Sequence, residues 1–159
     1  MHAEPQDQHR WLEKLVGEWT YESEMLMGPD QPTMTAQGVE VVRSLGGLWT
    51  IAEGEGEVPD VGPMSSIMTL GFDPAGGRFV GTFIATGMAH LWTYSGSLDE
   101  TGKVLTLEAE GPSFSGQGTA KYVDSIELVD DDHRNMTSRI LGEDGNWVQF
   151  MTIRYTRKA

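Results

Sequence analysis

From residue 18 onward the chain alternates apolar and polar side chains with a period of two, and clusters of Gly, Asp or Pro break the alternation at hairpin spacing. Helices bury residues every three to four positions, so this pattern confines the chain to strands whose successive side chains face opposite ways. The first strand starts at Trp19 and runs to Met27, with Trp19, Tyr21, Ser23, Met25 and Met27 on the inward face. Further strands are predicted at about 34–45, 48–57, 64–73, 77–86, 89–98, 103–110, 119–129, 134–142 and 146–157. Between them, Asp73-Pro74-Ala75-Gly76-Gly77, Asp99-Glu100-Thr101-Gly102, Asp130-Asp131-Asp132-His133 and Glu143-Asp144-Gly145-Asn146 pair a turn-initiating acid with small or left-handed-tolerant residues. The Gly28-Pro29-Asp30-Gln31-Pro32 loop is too short to carry a helical lid. Turns this tight make neighbouring strands antiparallel and leave no room for crossover helices. The predicted fold is all-β: about ten strands in an up-and-down meander that closes on itself, which also removes the edges that invite aggregation.

One helix precedes the strands, at about residues 5–16. Trp11, Leu12, Leu15 and Val16 recur at helical spacing, Pro5 suits a first helical position, and Gly17 suits a C-terminal cap. Its apolar stripe is expected to close the barrel end that the next residues enter. At 159 residues the chain fits one domain over 1–159, and its 20 glycines are dispersed as turn and strand-bend residues, Gly38, Gly71, Gly81 and Gly96 among them. Barrel diameter grows with strand number, and eight strands are just filled by their own side chains. About ten strands therefore leave interior space unless large residues plug it.

The formal charge of −13, from 24 acids against 11 bases, repels phosphate backbones and anionic lipid, so neither nucleic acid nor membrane is expected as a partner. With no cysteine, disulfides, thiolate metal sites and thiol catalysis drop out together. Met1 to Asp7 has neither a basic start nor an apolar run, which makes a cytoplasmic protein the expectation. No Gly-x-Ser-x-Gly elbow, Walker motif or dinucleotide glycine pattern occurs, because Gly111-Pro112-Ser113-Phe114-Ser115-Gly116 is out of step with the elbow.

Among titratable residues, His90 stands out because it shares strand parity with Trp92 and Tyr94, an aromatic wall if that face points inward. Glu53, Glu55 and Glu57 alternate with Gly54 and Gly56 and are expected to face solvent, since burying three unpaired charges is costly. Asp130 to Asp132 lack the ligand spacing of a calcium loop and read as a turn. No metal site is predicted. The stretch from Gly111 to Gly118 reads as a surface loop near the barrel mouth, and the methionines scattered over the strands suit either a loosely specific interior or an ordinary core.

Several segments, in this order along nearly the whole chain, resemble the bacterial domain-of-unknown-function family 1579: Leu15-Val16-Gly17-Glu18-Trp19, Arg43-Ser44-Leu45-Gly46-Gly47-Leu48-Trp49, Ser66 to Pro74, His90-Leu91-Trp92-Thr93-Tyr94 and Gly142-Glu143-Asp144-Gly145. The resemblance implies a lipocalin-like barrel of the calycin group and brings no substrate, reaction or catalytic residue with it. In lipocalins a Gly-x-Trp of the kind at Gly17 and Trp19 closes one barrel end, its indole packed beneath a basic side chain from the last strand. Arg154 and Arg157 are both candidates for that role. Some barrels of similar shape hold haem through a histidine near the C-terminus; the last strand here has none, which leaves haem through His90 as a lesser alternative.

The leading functional expectation is a barrel that binds a small, largely apolar molecule in its interior, with Trp49, Met68, His90, Trp92, Tyr122 and Met151 as lining residues and no catalytic group. Two alternatives stand beside it. One is a small-molecule enzyme of isomerase, cyclase or hydrolase type using His90 with a carboxylate, Asp124 or a Glu of the 53–57 run. The other is a structural or self-association module, a homodimer in its commonest form, whose barrel is filled solid.

Overall fold

A computed structural model describes residues 2–28 and 30–159; Pro29 of the first predicted loop lies outside them. One helix, α1 (Asp7–Glu13), precedes ten strands: β1 (Gly17–Met25), β2 (Met34–Leu45), β3 (Trp49–Val58), β4 (Gly62–Asp73), β5 (Arg78–Ala85), β6 (Trp92–Leu98), β7 (Val104–Pro112), β8 (Thr119–Asp130), β9 (His133–Leu141) and β10 (Trp147–Arg157). Each strand pairs antiparallel with its sequence neighbours, and β10 returns to pair with β1, closing the barrel. No helix among the described residues is long and apolar enough to cross a membrane.

Strand parity follows the alternation. On β1 the odd positions Trp19, Tyr21, Ser23 and Met25 point inward, whereas on β3 the inward set is even, from Thr50 and Ala52 to Val58. Glu53, Glu55 and Glu57 are thereby turned to solvent, with Glu53 3.9 Å from Arg43 on the same outer face. Parity also corrects the expectation for Trp49. It shares the outward set of β3, is 41% exposed, and lies across Gly71 of the adjacent β4, where an added Cβ would collide with the indole. Met27 likewise falls outside the barrel, because β1 ends at Met25.

The helix is shorter than predicted. Gln6 is its N-cap, where the backbone N–H donates to His9 Nδ1 at 2.9 Å. With Nδ1 accepting, His9 carries its proton on Nε2 and donates to the Phe72 carbonyl at 3.1 Å. A buried histidine thus ties α1 to the end of β4. Trp11 Nε1 donates to the Gly102 carbonyl at 2.6 Å, and Trp11, Leu12 and Leu15 are buried against the barrel end with Phe79 and Leu105. Each such side chain contributes about 1.5–3 kcal/mol relative to exposure.

Gly17 makes the entry to β1 at φ +138°, a conformation that side chains resist, and any Cβ there would meet the Arg157 guanidinium. Arg157 lies 4.2 Å from the Trp19 ring centroid and donates to the carbonyls of Val16, Lys14 and Asp131 at 2.7, 3.0 and 3.0 Å. Arg154, the other candidate, points outward and faces Glu24 at 3.7 Å, more than half exposed. Parity puts Arg157 with Tyr155 and Ile153 on the inner face and Arg154 on the outer one. A second guanidinium, that of Arg134 on β9, also lies over Trp19, at 4.6 Å.

Candidate functional site

Opposite the helix the barrel is hollow. A cavity of about 890 Å³ extends from Leu15 and Tyr155 near the closed end to Met25, Met88 and Phe114 at the mouth. Its existence follows from side-chain size as much as from strand number. Inward positions on β2, β3 and β4 are taken by Ala36, Gly38, Ala52, Gly54, Gly56 and Ser66, which leave the centre unfilled. Gly38 and Gly56 have a further reason to be bare, since the Tyr21 ring lies across both and a Cβ on either would strike it.

Two polar arrangements sit on the inner wall. Glu40 of β2 forms a hydrogen-bonded ion pair with Arg134 of β9, reaching across β1 and β10, and both are largely buried. The Arg134 guanidinium also lies 3.7 Å from the Tyr155 ring centroid, while its Nε has no hydrogen-bond partner. Burial, and then the Glu40 charge, push the Tyr21 and Tyr155 hydroxyls up, so both stay protonated. Farther round the wall, the Tyr94 hydroxyl of β6 donates to Asp124 Oδ2 of β8 at 2.6 Å, and Ser138 of β9 is the register partner of Asp124 on the neighbouring strand. Burial raises Asp124 from its ordinary value despite the opposing Tyr94 and Ser138 hydroxyls, and it raises Tyr94 as well.

The mouth is aromatic. Trp92 meets His90 edge-on at 4.7 Å and Tyr122 at 4.8 Å, and its ring covers Gly111 of β7. Phe114, from the loop between β7 and β8, folds onto Phe150 at 5.0 Å. A register shift between Gln149 and Met151 frees Phe150 from the β9 pairing and accompanies its turn toward the lumen. The Tyr122 hydroxyl donates to the Pro112 carbonyl and so fixes the base of that loop, while Trp92 Nε1 is buried without a partner.

Five of the six residues chosen from sequence, Met68, His90, Trp92, Tyr122 and Met151, border this cavity; Trp49 lies outside it. His90 is not on a strand as expected, because β6 begins only at Trp92 and His90 lies in the preceding loop. Its Nε2 is 3.0 Å from the Glu110 carbonyl, which can only accept, so Nε2 carries the proton. The carboxylate that a His90 general base requires is not hydrogen-bonded to it: Asp124 is engaged with Tyr94, and the glutamates of β3 face outward. Haem ligation through Nε2 would likewise have to break the Glu110 contact. No group of three His, Asp or Glu among the described residues is placed to hold a metal ion.

Sequence reasoning missed Glu40 and Arg134 altogether and paired Asp124 with the wrong partner. Parity carried the signal. Arg134 alternates with Met136 and Ser138, Glu40 with Gly38 and Val42, and Asp124 with Tyr122 and Ile126, each a charged residue in an inward series.

These features define a closed ten-stranded lipocalin-like barrel with an internal cavity open at one end. The chain belongs to the family described as Protein of unknown function (DUF1579), whose model matches residues 4–157. No curated protein sequence matches it. Among solved structures it is similar to Rv2717c from M. tuberculosis, with a TM-score of 0.64 and 13% identity over 98% of this chain and 100% of that one. It is also similar to the S-type phycobiliprotein lyase CPES from Guillardia theta, at TM-score 0.65 and 12% identity over 97% of this chain and 94% of that one. A further match is EF1p2_mFAP2b bound to DFHBI, at TM-score 0.51 and 15% identity over 94% and 98%. At such identities the likeness is one of fold.

Proposed function

We propose that the chain binds a small, largely apolar molecule within the barrel. The observation that carries this reading is the open lumen of about 890 Å³, a size suited to a metabolite, bordered mainly by apolar and aromatic side chains with a few buried polar groups among them. Met25, Met34, Met64, Met68 and Met88 give one wall an adaptable surface. That a barrel of similar fold is bound to DFHBI supports the idea that such an architecture accommodates a guest. A barrel serving only as a scaffold would have its interior filled, and this one is hollow.

The test is to equilibrate the purified chain with a mixed lipid and metabolite extract, re-isolate it, and identify what denaturation releases by mass spectrometry. A defined apolar compound retained by the unmodified chain, and lost from a Ser66→Phe variant that fills the lumen, is the expected result. Recovery of nothing above background from the unmodified chain would overturn the reading.

A further inference from the structure

The charges on the lumen wall do not balance. On the inward strand faces the ionisable acids and bases are Glu40, Asp124 and Arg134, with Glu57 and His90 at the rim. Glu40 and Arg134 neutralise each other in their ion pair. That leaves Asp124, whose hydrogen-bond donor is the neutral hydroxyl of Tyr94, with the equally neutral Ser138 opposite it in the strand register. A carboxylate offers about four lone-pair sites, so one donor does not exhaust it. Its position on β8 between Tyr122 and Ile126, both inward, turns the remaining acceptor capacity toward the cavity.

We propose that Asp124 anchors a protonated nitrogen, so that the guest of this lumen is a largely apolar molecule carrying an amine or a similar cationic group. This inference rests on the reading of the lumen as a binding site and adds its selectivity. An ammonium placed against Asp124 supplies the charge the wall lacks and donates to the carboxylate lone pairs that Tyr94 leaves free. The apolar body then packs over Ala52, Gly54 and Met68. An anionic guest such as a fatty acid is disfavoured twice. Its carboxylate would be repelled by Asp124, and Arg134, the only buried cation among the described residues, is already held by Glu40 and covered by Trp19 and Tyr155. Glu57 at the rim and the net charge of −13 act in the same direction along the approach. Burial holds the empty Asp124 carboxyl above its usual range, and an arriving cation favours its ionised form, so binding is accompanied by loss of a proton from whatever fraction is protonated.

The experiment uses the full chain, Nile red as a neutral reporter of the lumen, and three competitors that share one alkyl chain: decylamine, decanol and decanoate, all below their aggregation limits. The expected order of displacement is amine, then alcohol, then carboxylate, with the amine about tenfold tighter than the alcohol. In Asp124→Asn the amine falls to the level of the alcohol, while decanol binding stays within about twofold of the unmodified chain. Should that variant fail to fold, the side-chain carboxyl carbon resonance of Asp124 in the unmodified chain reports the same contact, moving with decylamine and staying in place with decanol. The proposal is overturned if the alcohol equals the amine in the unmodified chain, if decanoate binds tightest, if Asp124→Asn weakens amine and alcohol by the same factor, or if the resonance ignores the amine. Failure of Nile red and all three competitors to bind would overturn the lumen reading itself, a result distinct from a wrong headgroup order.

Discussion

At the helix end of the barrel Trp11, Leu12, Leu15 and Trp19 are no more than 5% exposed, whereas at the mouth Leu26, Val61, Leu91 and Phe114 are between 54% and 66% exposed. One alternating chain builds both ends, so the difference lies in what each set of connections carries. Two turns of the closed end are polar and tied by their own carboxylates: Asp99 accepts from Thr101 at 2.8 Å and Asp130 contacts His133 at 2.8 Å. The connections at the mouth expose apolar side chains around a hollow. Stability is therefore concentrated where the helix docks, and the mouth keeps apolar surface exposed.

The sharpest way to break that comparison is to truncate one aromatic at each end. Trp19→Ala removes a fully buried indole together with its hydrogen bond to the Leu15 carbonyl, and should cost about 3–5 kcal/mol in urea denaturation. Phe114→Ala should stay within about 0.5 kcal/mol. Equal losses at the two positions would mean that the mouth bears as much of the fold as the closed end does.

Next in size is the ion pair between the two regions. Arg134→Met leaves Glu40 buried without its cation and should destabilise by about 3–5 kcal/mol, most of which a second change, Glu40→Leu, should restore. If the double variant stays as unstable as the single one, the contacts of Arg134 with Trp19 and Tyr155 outweigh the ion pair. A smaller effect separates the two arginines of β10. Arg157→Ala loses three carbonyl contacts and the face of Trp19 and should cost about 1–2 kcal/mol, against about 0–0.5 for the outward Arg154→Ala. Thermal melts of both variants check the order.

The barrel was legible because period-two alternation and turn chemistry are local signals that every strand repeats. All ten strands fall where the alternation puts them, with only small errors at their ends; the largest is at the start of β6, where residues 89–91 alternate like a strand but belong to the loop that brings His90 to the mouth. Facing was harder. Trp49 looked like an interior residue by type, and only the pairing of β3 with β4 shows that it covers Gly71 from outside. The contacts Glu40–Arg134 and Tyr94–Asp124 join strands far apart in sequence, 94 and 30 residues respectively. Alternation marks each of those residues as inward without saying which will meet, because that depends on strand tilt and stagger around the closed sheet.

The smallest effect, and the one that separates buried from exposed carboxylates most cleanly, is the response to pH. Burial raises Asp124, opposed by the neighbouring Tyr94 and Ser138 hydroxyls, so the folded chain holds this proton more tightly than the unfolded one. Its contribution favours folding at pH values below the unfolded carboxyl range and is lost as pH rises through the folded-state value. Asp99, Asp130 and Asp144 behave oppositely. They are held low, chiefly by the Thr101 hydroxyl, the His133 side chain and the Asn146 backbone N–H respectively. Their contributions are present above the unfolded range and are lost as pH falls through their lowered folded-state values. Substituting each by Asn should expose the opposite signs. The melting temperature of Asp124→Asn relative to the unmodified chain should climb with pH through and above the carboxylate range, whereas that of Asp130→Asn should drop over the acidic range. Curves that move together would show that Asp124 is as well solvated as a turn carboxylate, and the distinction between a buried inner wall and exposed connections would have to be abandoned.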